Sequence, residues 1–150
     1  MLFAYMKQRI FIVMLLMVFS NCSKRYEYVP DKQFIGTWEL KGRSMFEGIQ
    51  IEITEDYGQY QGNVIRLNDN KYIQMFADVG DTWVSDISRK SKYQFKLTEK
   101  QIARELFGLY GLGSATEFNV EFIDINTIGL SSGSSNPTLS TVTYKRLTID

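Results

Sequence analysis

The sequence predicts an all-β protein, an antiparallel meander that closes into a barrel of eight or nine strands. Three observations predict this fold. Several segments alternate strictly between apolar and polar residues, turn signals recur every 10 to 13 residues, and large aromatic side chains are abundant. Alternation with one polar face is typical of half-buried antiparallel strands, and evenly spaced turns are typical of sandwiches and barrels.

The alternating segments lie at four places along the chain. "IQIEITE" places Ile49, Ile51 and Ile53 on one face, and "YQFKLT", "FNVEFID" and "TVTYKRLT" repeat the pattern. Turn signals separate such segments at 55–58, 68–71, 78–81 and 89–92. The predicted strands are therefore 34–43, 47–55, 59–67, 71–77, 82–88, 92–98, 116–124, 127–131 and 140–148. Residues 131–137, "SSGSSNP", are predicted to form a flexible loop.

One segment, "TEKQIARELFGLYGLG", interrupts this rhythm. Thr98 precedes Gln101 at the spacing of a capping box, and Ile102 and Leu106 follow at a helical interval. Gly108 is suited to ending a helix. The segment fits one short helix near 99–108 and also fits a further strand.

The first residues of the chain resemble a targeting signal. Lys7 and Arg9 precede an apolar run, Ile10 to Phe19, that is shorter than the roughly 20 residues of a membrane span. The run ends at "MVFSNCSK", which resembles the lipobox of bacterial lipoproteins. The resemblance implies cleavage before Cys22, lipidation of Cys22, and a location in a bacterial cell envelope, at the outer membrane. A single free cysteine after a signal peptide is the alternative. Translation is expected to begin at Met6.

Cleavage there divides the chain into a signal peptide (1–21), a polar tether (22–33) and one barrel domain (34–150). The mature chain keeps 15 basic and 17 acidic side chains, a net charge near −2. No basic stripe suits a nucleic acid. Cys22 is the only cysteine, so packing alone must hold the domain together.

Residues suited to catalysis or metal binding are sparse. The chain has no histidine, which excludes Ser-His-Asp and Cys-His arrangements. Acidic groups around Gly80 are explained by turn chemistry, and the glycines of "GLYGLG" do not match a dinucleotide-binding loop. We therefore expect no enzymatic activity, no metal and no cofactor. The residues that could form a carboxylate pair are candidates by residue type only: Glu52, Glu55, Asp56, Glu117, Glu121 and Asp124. Glu52 and Glu121 are better explained as solvated outer-face residues, and Glu55 and Asp56 as turn formers.

"FIGTWEL", residues 34–40, resembles the G-x-W signature in the first strand of lipocalins and related calycins. The signature falls on Gly36, Thr37 and Trp38, and "TYKRL" supplies Arg146 in the last strand. In that family the Trp closes one end of the barrel and the Arg packs across it. The resemblance therefore implies a cation–π contact between Arg146 and Trp38.

A lipocalin-like barrel implies a binding role, for which two alternatives stay open. An interior lined by aromatic and aliphatic side chains suits one small apolar ligand, with tyrosine hydroxyls to orient it. The same side chains suit a filled core, in which case the protein would bind another envelope protein as an inhibitor or assembly module. The candidate ligand-binding residues are Trp38, Met75, Trp83, Tyr93, Phe95, Phe118 and Tyr144.

Overall fold

The computed structural model describes residues 27–100 and 115–148, and it confirms the predicted all-β barrel. Eight strands follow one another in the order of the chain. They are β1 (Gly36–Lys41), β2 (Gln50–Asp56), β3 (Gln59–Arg66), β4 (Thr82–Arg89), β5 (Gln94–Lys100), β6 (Ala115–Asp124), β7 (Thr127–Ser131) and β8 (Thr143–Arg146). A short helix, α1 (Lys71–Phe76), and 3₁₀ turns at Asp31–Phe34 and Pro137–Leu139 complete the described elements.

Each strand pairs antiparallel with its neighbour in sequence, and β1 closes the barrel by pairing with both β2 and β8. Trp38 of β1 lies opposite Ile51 on one side and opposite Arg146 on the other. Closure leaves no unpaired sheet edge, which removes the usual route to edge-to-edge aggregation.

The two ends of the barrel differ. At the end that we call the entry end, the chain joins β1 through residues 27–35, and the hairpin turns at 57–58, 90–93 and 125–126 are short. At the opposite end, called the rim, longer connections at 42–49, 67–81 and 132–142 join the strands. β5 ends and β6 begins at the rim as well. Long connections on a rigid barrel are the usual place for binding residues.

The inward faces of the strands form one apolar core. The isoleucines predicted for the inner face at 49–53 are fully buried, and so are Phe95 and Leu97 of β5 and Val120 of β6. Phe118 and Phe122 of β6 lie on the same face and are partly buried against the core. The alternation at period two therefore identified the core face correctly for these strands. Large side chains that are fully buried in this core include Phe34, Trp38, Leu40, Phe95, Leu97 and Tyr144.

The strand predicted at 71–77 is wrong, because this segment forms α1. The side chain of Asn70 caps the helix by accepting a hydrogen bond from the backbone N–H of Tyr72 at 2.9 Å. Ile73 and Ala77, four residues apart, turn toward the core and are buried. The turn signals on both sides of 71–77 favoured a strand. The segment forms a helix instead because Asn70 caps its first turn and because Ile73 and Ala77, at i and i+4, bury one face.

The end of β5 also differs from the prediction. β5 continues through Thr98 to Lys100, so these residues belong to a strand and not to the start of a helix. Thr98 lies opposite Glu117 of β6. The rest of the segment expected near 99–108 lies outside the described residues.

β7 is buried on both faces, unlike the other strands. The 3₁₀ turn at Pro137–Leu139 lies against its outer face, and Pro137 is itself buried. The contact is so close that a Cβ atom added at Gly129 would stand 2.0 Å from the carbonyl oxygen of Pro137. The loop that was predicted to be flexible is therefore in part a packed cover over β7.

Candidate functional site

The entry end is closed by Trp38 and Arg146. The guanidinium carbon of Arg146 lies 4.1 Å from the ring centroid of Trp38, which is the contact that the lipocalin resemblance implies. Trp38 is fully buried, and its indole N–H donates to the carbonyl of Phe34 at 2.7 Å. Arg146 also donates to the carbonyls of Ile35 and Gln33, at 2.9 and 2.5 Å. Burial lowers the pKa of Arg146 from its ordinary value.

Gly36 makes room for this arrangement. A Cβ atom at Gly36 would lie 2.7 Å from Nη1 of Arg146, and the residue has a φ of +133°, which side chains rarely adopt. The G-x-W signature therefore has a physical explanation here. The glycine leaves space for the arginine that covers the tryptophan.

A second arginine attaches the entering chain to the entry end. Arg89 pairs with Asp31 and donates to the carbonyl of Val29 at 2.7 Å. The backbone N–H of Val29 donates to the carbonyl of Lys92 at 2.9 Å. The chain is thus held against the barrel from Val29 onward, within the segment that was expected to be a tether.

The interior between the two ends is filled by side chains. A side chain that lined a cavity large enough for one water would keep accessible surface inside it. Phe34, Trp38, Leu97 and Tyr144 keep none, and Phe95 keeps 1 %. A small molecule cannot lie beside these five residues without displacing one of them.

A polar network runs through the core toward the rim. Glu99 is only 3 % exposed. One of its carboxylate oxygens accepts a hydrogen bond from the hydroxyl of Tyr144, and the other pairs with the guanidinium of Arg43. The hydroxyl of Tyr144 in turn accepts from the indole N–H of Trp83 at 2.9 Å. Each buried polar group in the network has a partner, as buried polar groups require.

This network favours the protonated form of Tyr144. Burial raises the pKa of Tyr144 well above its ordinary value, and the neighbouring Glu99 carboxylate raises it further. A phenol that stays protonated suits a hydrogen-bond donor and does not suit a general base. The arrangement is therefore suited to holding structure at neutral pH.

Arg43 covers the network from the rim. Its guanidinium carbon lies 4.8 Å from the ring centroid of Phe46 and 5.5 Å from that of Phe118. Phe46 in turn packs edge-on against Trp83, with centroids 5.5 Å apart. The connection between β1 and β2 thus places one cation and one ring over the mouth of the barrel.

The predicted ligand-binding residues do not form one site. Trp38, Trp83, Phe95 and Tyr144 lie in the filled core, and Phe118 lies at the rim beside Arg43. Tyr93 lies outside β5, next to the turn at the entry end, and is half-buried.

Met75 does not line the interior, which corrects the prediction. It lies on α1 and is 71 % exposed. The error follows from reading 71–77 as a strand, because a strand would have turned Met75 toward the core.

The sequence reasoning missed Arg43 and Glu99. A signal for Glu99 was present, because Phe95, Leu97 and Glu99 continue one alternation. The capping-box interpretation of Thr98 ended the strand one residue too early to include it. Nothing local marks Arg43, since its partner lies 56 residues away.

The rim also carries an exposed apolar surface, which we call the rim patch: Met45, Tyr72, Met75, Phe76 and Val79. Three of these residues lie on α1, whose other face is buried through Ile73. The side-chain amide of Asn68 donates to the carbonyl of Met45 at 2.9 Å, which joins the 42–49 connection to the segment that leads into α1. Exposed large apolar side chains grouped on neighbouring connections are typical of interaction sites.

An open groove of about 430 Å³ lies beside Arg43 at another part of the rim. Its apolar walls are Phe118, Leu130, Leu139 and Val142, and serine residues and Asn136 line the remainder. The volume is within the range of small-molecule sites, but the groove is open to solvent on one side.

The acidic residues considered as catalytic candidates do not assemble into a site. Glu52 is exposed on the outer face of β2, as expected. Glu121 is buried, contrary to the expected solvated face, and it accepts a hydrogen bond from the side chain of Gln94 at 2.6 Å. Glu121 lines one pocket together with Gly133, Ser134, Ser135 and Pro137 of the connection between β7 and β8.

Within 27–100 and 115–148, no group of three or more acidic, histidine or cysteine side chains is placed to hold a metal ion. No helix in the same ranges has the length and apolar character needed to cross a membrane.

Comparison of the chain with models of protein families, with curated proteins and with solved structures finds no match.

Proposed function

We propose that the protein is a lipid-anchored, non-enzymatic component of a bacterial cell envelope that binds another envelope protein through the rim patch. The observation that carries this proposal is the filled interior beside an exposed aromatic surface. The core residues expected to line a ligand cavity keep almost no accessible surface, whereas Tyr72 is 70 % exposed. Because the interior of the barrel is filled, a binding partner would contact its outer surface.

The proposed anchor is Cys22, which lies outside the described residues. The lipobox-like "MVFSNCSK" supports it, and so does the short distance in sequence between Cys22 and the attached Val29. Intact-mass measurement of the mature protein should show diacylglycerol on residue 22, and Cys22→Ala should move the protein to the soluble fraction. A mature protein that begins elsewhere would contradict the anchor.

The interaction is tested by site-specific photo-cross-linking in intact cells. A photoreactive amino acid replaces Met75 in the rim patch or, as a control, the exposed Glu52 on the barrel wall. We expect a discrete cross-linked protein from position 75 that disappears when Tyr72 and Phe76 are both changed to Ser. Equal adducts from both positions, or adducts that persist in the double variant, would refute the rim patch as the binding surface.

The second candidate function is the binding of a small apolar ligand in the rim groove. The apolar walls formed by Phe118, Leu130, Leu139 and Val142 favour it. Such a ligand would lie on the barrel mouth and not within the core. Saturable binding of an apolar fluorescent probe that is lost in Leu139→Ser would support this candidate over the first.

A further inference from the structure

We propose that the barrel stands with its entry end toward the anchoring membrane, and that the rim patch binds an apolar protein surface with a basic border, away from that membrane. This inference deepens the proposed function and rests on lipidation of Cys22.

The orientation follows from where the chain is attached. Arg89 lies over the ring of Tyr28 at 4.6 Å and donates to the carbonyl of Val29. Both contacts are at the entry end. Tyr28 follows Cys22 by only six positions, and six residue steps span at most about 20 Å. A lipid on Cys22 therefore keeps the entry end close to the bilayer.

The rim patch lies at the opposite end. β6 has ten residues and runs from the rim to the entry end. A strand of this length extends about 33 Å, and a tilt of about 35–45° leaves a height of about 25 Å along the barrel axis. An upright barrel therefore carries the rim patch well beyond the lipid headgroups.

The charges around the rim patch indicate its partner. The two rim connections that carry the patch, 42–49 and 67–81, hold four exposed acidic residues: Glu47, Asp69, Asp78 and Asp81. The exposed cations beside them are Lys71 and Arg66, and Arg66 lines the same groove as Glu47 and Asp69, so acidic residues remain in excess. Anionic lipid headgroups attract basic segments, so this acidic border disfavours contact with a bacterial bilayer. It is complementary to a protein surface on which basic residues surround an apolar centre.

The orientation is measured on the lipidated full chain in vesicles of phosphatidylethanolamine and phosphatidylglycerol. A fluorophore is placed at the rim through Met75→Cys, or at the entry end through Lys92→Cys, and a short-range quencher is carried on the lipid headgroups. Because the tether reaches only about 20 Å, we expect the residue 92 label to be quenched at least about twofold more than the residue 75 label. Equal or stronger quenching at residue 75, with a blue-shifted emission, would mean that the patch lies on the lipid and would overturn the inference.

Two outcomes separate this inference from the proposals on which it rests. A protein that does not float with the vesicles contradicts the anchor, and the orientation fails with it. A protein that floats but shows the reverse quenching pattern contradicts the orientation alone.

The chemistry of the partner is tested by charge reversal in the cross-linking experiment. Asp69→Lys combined with Asp78→Lys should lower the adduct yield from position 75 at least about threefold, since like charges now face each other. Asp86→Lys, on the exposed wall of β4, is the matched control and should leave the yield unchanged. A yield that does not respond to the double reversal, or that falls equally with Asp86→Lys, would overturn the basic-bordered partner.

Discussion

At the scale of single residues, the pairing of Arg43 with Glu99 should be a strong determinant of stability. Removing one member of a buried ion pair leaves the other charge without compensation, which costs about 3–5 kcal/mol. Arg43→Ala should therefore lower the free energy of unfolding by that amount in urea denaturation. The matched control is Lys96→Ala, because Lys96 pairs with the exposed Glu117 on the surface, where solvent screens the charges and loss of the pair should cost far less. Equal costs for the two variants would contradict the buried network.

Tyr144 should make stability depend on pH in alkaline solution. Burial and Glu99 hold the pKa of folded Tyr144 well above the value of about 10 in the unfolded chain. As the pH rises, the hydroxyl of Tyr144 therefore loses its proton in the unfolded chain before it does so in the folded protein. The contribution of Tyr144 to the free energy of unfolding is therefore fully present below about pH 10. Above that pH the free energy of unfolding falls by up to about 1.4 kcal/mol per pH unit.

Tyr144→Phe tests this dependence. The variant should be less stable at pH 7, by about 1–3 kcal/mol, because Glu99 and Trp83 each lose a buried partner. Its stability should then fall less steeply above pH 10 than that of the wild type. Tyr72→Phe is the control, since Tyr72 is exposed, and should follow the wild-type curve. A Tyr144→Phe curve parallel to the wild type would show that Tyr144 does not cause the alkaline loss.

Trp38 should contribute most among the core residues at the entry end. Trp38→Ala removes a fully buried ring together with its contacts to Arg146 and to the carbonyl of Phe34. Large-to-small core changes of this kind cost about 3–5 kcal/mol. Urea denaturation of the variant gives the value, and a loss below about 1 kcal/mol would contradict closure of the barrel by this residue.

At the scale of secondary-structure elements, β7 depends on its cover. Gly129→Ala would push the new Cβ atom into the carbonyl of Pro137 and should displace the 3₁₀ turn from the strand. Overpacking of this kind costs about 1–3 kcal/mol. Protection of the β7 amides from hydrogen exchange should fall with it. Gly133→Ala has open space around its Cβ position but a φ of +62°, so its cost in stability comes from the backbone alone. It should leave the protection of the β7 amides unchanged, which makes hydrogen exchange the readout that separates the two variants.

The elements that the sequence predicted correctly are those whose pattern depends on local alternation. The segments at 49–55, 93–98 and 118–124 carry enough alternating residues to identify both the strand and its buried face. α1 was missed because six residues are too few to show a helical period clearly, and its N-cap Asn70 lies within a typical turn sequence. Such short elements depend on the contacts of the folded chain as much as on their own residues.

The candidate site was harder to predict than the fold. Arg146 over Trp38 could be expected from a family resemblance, because it depends on two marked positions in the first and last strands. Arg43, Glu99, Tyr144 and Trp83 come from four separate parts of the chain, and only the closed barrel brings them together. Three residues of the rim patch lie on α1. Because 71–77 was predicted to be a strand, the exposed apolar face of this helix was not predicted either.

At the scale of the whole molecule, the barrel has two ends with different roles. The entry end is closed by Trp38 and Arg146 and holds the incoming chain through Arg89. The rim carries the rim patch, with α1 at its centre. Between them lies a packed interior, and the choice between carrying a ligand and binding a partner depends on that interior being filled.

Titration of the soluble Cys22→Ala protein with an apolar fluorescent probe tests the filled interior most directly. Trp38 and Trp83 are the only tryptophans of the chain and both are buried in the core, so their emission reports a probe that enters the barrel. We predict that tryptophan emission shows no saturable change as the probe is added up to and beyond one molecule per protein. Saturable quenching with one probe per protein, retained in the groove variant Leu139→Ser, would show that the barrel opens to a ligand and would contradict the filled interior.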